Sequence, residues 1–420
     1  MGEALDKARL ARRAAPALAS APAEARSRAI RRAAALLRER SAAIVEVNAG
    51  DVARARARGM AEGLVDRLML DGARVAGIAG AMDEVASQAD PLGRVVGGHT
   101  NADGLRIEKV VVPLGVVAMI YEARPNVTAD AFALCMRSGN ACLLKGGSAA
   151  NASCWAIAAA CRDACELEGL PADAVAYIED DEGHTQTSEL LGATGLVDVL
   201  IPRGGAGLIQ ACVQNAKVPT IETGTGNCHV YVHEDADFEK ARAIVMNAKT
   251  QRVGVCNAAE SLLVDESVAE AFLPAMLDEL AGAGVLLHAD ARSRSCAGDA
   301  ALARVVEATE DDWGREYLAL EMSVKCVSGI DEAIEHINRY GTRHSEAIVT
   351  RSYEASEKFL SLVDASCVYV NASTRFTDGG VFGLGGEIGI STQKLHARGP
   401  MGADALTTTK FQIRGDGQTR

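Results

Sequence analysis

Through residues 1–90, Ala, Leu and Ile recur at the three-to-four-residue spacing of a helix, with Arg or Glu between them. The stretch therefore reads as a series of packed amphipathic helices. After it the period shortens. Residues 106–112 alternate as a strand does and end at Pro113-Leu114-Gly115, and 116–120 is the unbroken apolar run of a strand covered on both faces. An apolar helix over 128–138 stops at Gly139-Asn140, and a strand covers 141–144. A long helix over 148–168 is closed by Gly169 with Pro171 beyond it. Strands are expected next at 175–178, 197–201, 219–222 and 229–233, with helices at 187–191 and 206–216. Strands alternating with helices predict an α/β fold: a parallel sheet with helices on both faces and ligands at the carboxyl ends of its strands.

A second alternation follows Cys256, with strands at 261–264, 324–327, 347–350 and 368–371. The tail 406–413 reads as a solitary strand, which needs an edge to pair with, and a neighbouring subunit would supply one. This divides the chain into a first lobe, 1–104 and 116–234, a second lobe, 235–397, and a small β element made of 105–115 and 398–420. A length of 420 residues suits two lobes.

Composition narrows the function. A formal net charge of -13 and 4% aromatics leave neither the positive face nor the stacking platform that nucleic acid requires, so no nucleic-acid partner is expected. An anionic small molecule needs only a local cluster of Arg and Lys. No apolar stretch approaches the ~18 residues of a membrane helix, so no membrane partner is expected either. The Arg-rich start also carries Glu3 and Asp6 and continues a helical pattern, which makes it part of the fold rather than a transit peptide. The 11 cysteines contain no Cys-x-x-Cys, as suits a reducing compartment and a cytoplasmic location. No metal site is expected: Cys161 and Cys165 suit a helix face in the core, and His336 and His344 lack a completing ligand set.

Several segments can carry chemistry. Pro202-Arg203-Gly204-Gly205-Ala206-Gly207 lies between a strand and a helix, where backbone N–H groups can hold a phosphate or simply make a tight turn. Thr223-Gly224-Thr225-Gly226-Asn227 is a second candidate, an anion nest or a bulged turn. Lys145 ends a strand, in reach of a ribose or phosphate or merely solvated. Cys256 sits in a loop between a helix and a strand, where a rigid scaffold can present a nucleophile, although buried structural cysteines are common.

Five stretches of the chain agree in order and spacing with one family. YEARPNVT (121–128), LLKGG (143–147), IETGTGNCH (221–229), GVCNAAESLLV (254–264) and VSGIDEAIEHINRYGTRHSEAI (327–348) together resemble the aldehyde dehydrogenase superfamily. Within it they resemble the branch that reduces the acyl phosphate gamma-glutamyl phosphate. The resemblance spans essentially the whole chain. It implies two Rossmann-type parallel-sheet lobes, the first binding NADP and the second catalytic, and an oligomerisation element formed by the small β segments of a homo-oligomer. It implies NADPH/NADP as cofactor and gamma-glutamyl phosphate as substrate, with a separate glutamate 5-kinase as transient partner.

The resemblance also assigns residues. Cys256 takes the place of the catalytic thiol, Asn126 that of the oxyanion donor, and Lys145 that of the lysine at the adenosine ribose and its 2′-phosphate. Glu316 matches the glutamate at the nicotinamide ribose, and Gly204 and Gly205 fall at the cofactor's phosphate turn. Arg124, Glu222, Thr223, Gly224 and Arg252 are the candidates around the leaving phosphate. Glu222 stands where hydrolytic members keep a water-activating glutamate, but the motif reads ETGTG rather than ELGG. Two alternatives stay open: a hydrolytic NAD-linked semialdehyde dehydrogenase, and a catalytically silent member of the fold.

Overall fold

The computed structural model describes residues 2–122, 124–179 and 185–420. They form two compact units: Met1–Thr223 with Gly383–Gly389 and Pro400–Arg420, and Gly224–Phe382 with Ile390–Gly399.

The first unit opens with five helices, α1 (Glu3–Ser20), α2 (Ala23–Glu39), α3 (Ser41–Ala57), α4 (Glu62–Leu68) and α5 (Gly72–Ser87). In α2, Ala29, Ile30, Ala33, Ala34, Leu36 and Leu37 are buried, the helical spacing read from the sequence. Two strands follow, β1 (Val95–Thr100) and β2 (Arg106–Pro113), and then the alternating core. That core runs β3 (Val116–Tyr121), α6 (Asn126–Arg137), β4 (Ala141–Gly146), α7 (Asn151–Leu167), β5 (Val175–Ile178), α8 (Thr185–Leu191), β6 (Val199–Arg203) and α9 (Ala206–Asn215). The four core strands are parallel, in the order β5-β4-β3-β6. Every residue of β3 and β4 is buried, as their apolar runs require.

Two expectations need correction here. Residues 219–222 make no strand: Thr220 forms one isolated bridge with Leu200, and Ile221 N–H donates to the Leu200 carbonyl before the chain departs. Pro219, lacking an N–H, cannot extend the ladder. The tail strand is not solitary either. Thr407–Arg414 pairs antiparallel with β2 over its whole length, from Thr407 opposite Pro113 to Arg414 opposite Arg106. β1 covers the other side of β2, giving a three-stranded sheet with β2 in the middle. Although its residues had been assigned to the first lobe, β1 belongs to this sheet. Its six residues are all exposed and two are Gly, so no inward-outward alternation announced it.

The second unit runs β7 (Cys228–Val232), α10 (Phe238–Thr250), β8 (Ala259–Asp265), α11 (Ala269–Gly282), β9 (Leu286–Ala289), β10 (Val305–Glu307) and β11 (Glu321–Val327). It continues through the helix Ile330–Tyr340, β12 (Ser345–Val349), the helix Tyr353–Leu362 and β13 (Cys367–Val370). Its seven parallel strands lie in the order β10-β9-β11-β8-β7-β12-β13. β7, expected to close the first lobe, lies between β8 and β12 of this sheet. Strand alternation sorts the core: Val230, Val232, Leu262 and Val264 pack with Phe272, Met276 and Leu277. Tyr231, Leu263 and Ile348 pack with Ile334, Ile337 and Phe359. The sheet is thus covered on both faces, as the α/β reading required.

Candidate active site

Cys256 lies between the end of α10 at Thr250 and the start of β8 at Ala259. None of the eleven cysteines forms a disulfide, and ten are buried; Cys256 alone is partly exposed. Burial disfavours the thiolate, pushing Cys154, Cys212 and Cys326 each up to about 11. Cys228, the nearest rival in sequence, is held well above the ordinary thiol range by burial, and its Sγ contacts the Cys256 carbonyl at 3.1 Å. Exposure and loop position therefore favour Cys256 as nucleophile.

The segment around Cys256 is fixed from several sides. Asn257 Nδ2 donates to the Thr377 carbonyl at 2.8 Å, and the Asn257 carbonyl accepts from Thr374 Oγ1 at 2.8 Å. On either side stand Lys249, in the last turn of α10, and Glu260, in β8, fully buried and paired at 2.5 Å. Burial pushes the Glu260 carboxyl up and the Lys249 ammonium down, while each partner's charge opposes that drift. The other Glu260 oxygen accepts the Leu318 N–H at 3.1 Å, and Glu316 Oε1 accepts the Gly226 N–H at 2.6 Å. The pair thus ties together both ends of the Cys256 segment and the segment bearing Glu316. Sequence reading missed this pair. A glutamate just ahead of the apolar run Leu262–Val264 was the signal that could have found it.

The turn Thr223–Asn227 is not an open anion nest. Gly224 N–H donates to the Ile390 carbonyl at 3.1 Å, Gly226 N–H to Glu316, and Asn227 N–H to Thr342 Oγ1 at 3.0 Å. Thr223 Oγ1 donates to the Pro202 carbonyl at 2.7 Å. A Cβ on Gly226 would lie 1.5 Å from the Cys256 carbonyl oxygen. Glycine here serves close backbone approach, which accounts for the Gly-rich pattern without a ligand. Glu222 is partly buried and Arg252 exposed.

In the first unit, Lys145 is buried at the end of β4. Gly205 caps α9, and its N–H donates to Glu122 Oε2 at 2.9 Å. A carboxylate thus stands where a helix start favours negative charge. Asn126 opens α6, and its Nδ2 donates to Asp130 Oδ2 at 3.0 Å. Burial pushes the Asp130 carboxyl up to about 6, against the opposing pull of Arg203 and Asn126. Arg124 is partly buried; Ala123 of the same motif lies outside the described residues. His336, packed edge-on against His229 and Trp313, is held down to about 3 by burial, so it stays neutral.

The model of the aldehyde dehydrogenase family matches residues 2–295, and the chain belongs to that family. It is accordingly an oxidoreductase of the aldehyde dehydrogenase fold, the class that uses a nicotinamide cofactor. Within the family, the chain is 52% identical over 410 residues to the gamma-glutamyl phosphate reductase of Thermobifida fusca, covering 98% of this chain and 97% of the relative. It is 54% identical over 377 residues to that of Agathobacter rectalis, covering 90% of each. The crystal structure of gamma-glutamyl phosphate reductase from Thermotoga maritima matches 100% of both chains with a TM-score of 0.95 and 46% identity. Among the described residues no helix is long and apolar enough to cross a membrane.

Proposed function

We propose that this chain reduces gamma-glutamyl 5-phosphate to glutamate 5-semialdehyde and phosphate with NADPH, through a thioester on Cys256. The names of the relatives supply the substrate. The observation that carries the mechanism is that Cys256 alone among eleven thiols is accessible. The Cys256 thiolate attacks the acyl carbon and phosphate leaves, which divides one hard step into two easier ones. A bound nicotinamide supplies the hydride that the thioester accepts. The Asn126 amide and the Cys256 backbone N–H are the proposed oxyanion donors, each contributing about 3 kcal/mol. Lys145 would hold the 2′-phosphate, for which NADPH is preferred over NADH, and the Gly204–Gly205 turn the pyrophosphate. Glu316 would meet the nicotinamide ribose.

Free thiols favour a reducing compartment, and we place the enzyme in the cytoplasm. Acyl phosphates hydrolyse readily, so a transient handover from a separate glutamate 5-kinase suits the chemistry. The outer edges of the three-stranded sheet expose Val95, Val96, Phe411 and Ile413, and a second copy of the chain is the proposed cover.

The oxidative direction tests the reading. NADP reduction by glutamate semialdehyde should proceed steadily only with added phosphate. Without it, a burst of about one equivalent per site should mark an accumulated acyl-enzyme, and Cys256→Ala should lose both phases. Sustained production of free glutamate without phosphate, lost in Glu222→Gln, would instead establish the hydrolytic alternative.

A further inference from the structure

The proposed reaction expels a phosphate next to Cys256, and the glycine turn first suggested for it has its Gly224, Gly226 and Asn227 amides bound within the protein. The second unit offers a different set of cations. Arg375 lies on the short turn Thr374–Phe376, which is tied to the neighbour of Cys256. Asn257 Nδ2 reaches the carbonyls of both Arg375 and Thr377, at 3.4 and 2.8 Å, while Thr374 donates back to the Asn257 carbonyl. The Arg375 side chain is half-buried, and its Nε donates to Gln251 Oε1 at 2.9 Å. That bond fixes the plane of the guanidinium and leaves its terminal NH2 groups for another acceptor.

Two like charges meet here. Arg375 lies within electrostatic reach of Arg252 and of the Cys256 and Cys228 thiols, and Asp378 is the carboxylate nearest in effect. The Asp378 side chain is occupied with the N–H groups of Gly380 and Val381. Neither guanidinium is ion-paired among the described residues. Two like charges beside a nucleophile repel, and an anion between them offsets that repulsion. Arg375 was not noticed from sequence because it lies more than a hundred residues from the thiol.

We propose that Arg375, assisted by Arg252, binds the phosphoryl group of the acyl phosphate and, before substrate arrives, favours the Cys256 thiolate. This rests on the function proposed above. As the S–C bond forms, the C–O bond to phosphate breaks and its electron pair leaves with the phosphate oxygen. A proton from water completes hydrogen phosphate. Negative charge passes from sulfur to phosphate, and one cation serves both positions. The substrate's α-carboxylate is also an anion, but it sits at the far end of the molecule, whereas the phosphoryl oxygen is bonded to the carbon under attack.

The experiment follows the oxidative reaction of wild type, Arg375→Gln and Arg375→Lys, with KM measured separately for inorganic phosphate and for glutamate semialdehyde. Alkylation of Cys256 by iodoacetamide is followed against pH, with Cys256→Ser as blank. Arg375→Gln should raise KM for phosphate about tenfold or more, leave KM for semialdehyde within about twofold, and move alkylation to higher pH. Arg375→Lys should restore the alkylation profile while KM for phosphate stays raised, because an ammonium lacks the planar fork. An unchanged phosphate KM overturns the assignment, and so does a raised semialdehyde KM, which would make this the carboxylate pocket. Wild-type turnover indifferent to phosphate would defeat the proposed function itself, while the alkylation profile would still judge Arg375.

Discussion

Where β6 gives way to α9, the Gly205 N–H points at a carboxylate, that of Glu122, across 2.9 Å. Where the chain turns at Gly224–Asn227, the paired N–H groups meet the Ile390 carbonyl, Glu316 and Thr342, and a backbone carbonyl presses on Gly226. Both segments read alike in the sequence, as glycine clusters beside a strand. The first uses glycine to admit an anion to a helix start. The second uses it to let two stretches of backbone pass closely, so that the Cys256 carbonyl rests directly against the Gly226 backbone. A glycine pattern therefore states that something comes close, and only the partner tells whether it is ligand or protein.

Alanine at each turn should break this comparison most sharply. On Gly226, a new Cβ lies 1.5 Å from the Cys256 carbonyl oxygen, and backbone on both sides must move. Gly226→Ala should cost more than about 3 kcal/mol and remove turnover. On Gly204, the nearest atom is Glu122 Oε2 at 2.5 Å, the mobile end of an exposed side chain. Gly204→Ala should cost no more than about 1 kcal/mol. Denaturant unfolding of the two variants measures the gap, and equal costs would mean the turns are alike after all.

The anchoring behind the second turn gives the next effect. Lys249→Met leaves Glu260 buried without its partner and should destabilise the protein by about 3–5 kcal/mol, whereas Lys249→Met with Glu260→Met should regain most of that. The pH dependence has a definite sign. A buried acid with a raised pKa keeps a proton that the unfolded chain releases above its ordinary value of 4.5, so its contribution to stability falls as pH rises from there. Lys249→Met should therefore lose stability between about pH 5 and pH 8, and the double variant should not. Parallel pH profiles for the two would show that Glu260 is not the source.

Much of the fold was legible because burial imposes periods. The apolar runs that became β3 and β4 were read as strands, and strands were also read where β7, β8 and β12 lie. β1, β9 and β10 were missed because short or exposed strands carry little such signal. β7 was grouped with the wrong lobe because chain order does not reveal which sheet a strand joins. The loop setting of Cys256 was visible, but its accessibility needed the whole core, since the other ten thiols look no different in sequence. Lys249, Glu260 and Arg375 escaped notice for a related reason: a charged residue has meaning only beside its partner, and partners are set by tertiary structure.

The smallest effect concerns the first turn. Glu122 donates no hydrogen bond there; its exposed carboxylate accepts the Gly205 N–H at the start of α9, the position proposed for the cofactor's pyrophosphate. Two anions at one helix start repel, and helix-end charge effects of this kind are worth about 0.3–1 kcal/mol. Glu122→Gln keeps the shape and an acceptor oxygen while removing the charge. NADPH should then bind about two- to fivefold more tightly, as that range of energies implies, with the difference shrinking as salt is added. Stability without cofactor should fall by no more than about 0.5 kcal/mol, because a neutral amide still accepts the Gly205 bond. Calorimetric titration with NADPH at low and high salt reads the affinity, and denaturant unfolding of the cofactor-free protein reads the stability. Weaker binding would make Glu122 a direct partner of the cofactor, and unchanged binding would remove the Gly204–Gly205 turn from the pyrophosphate site.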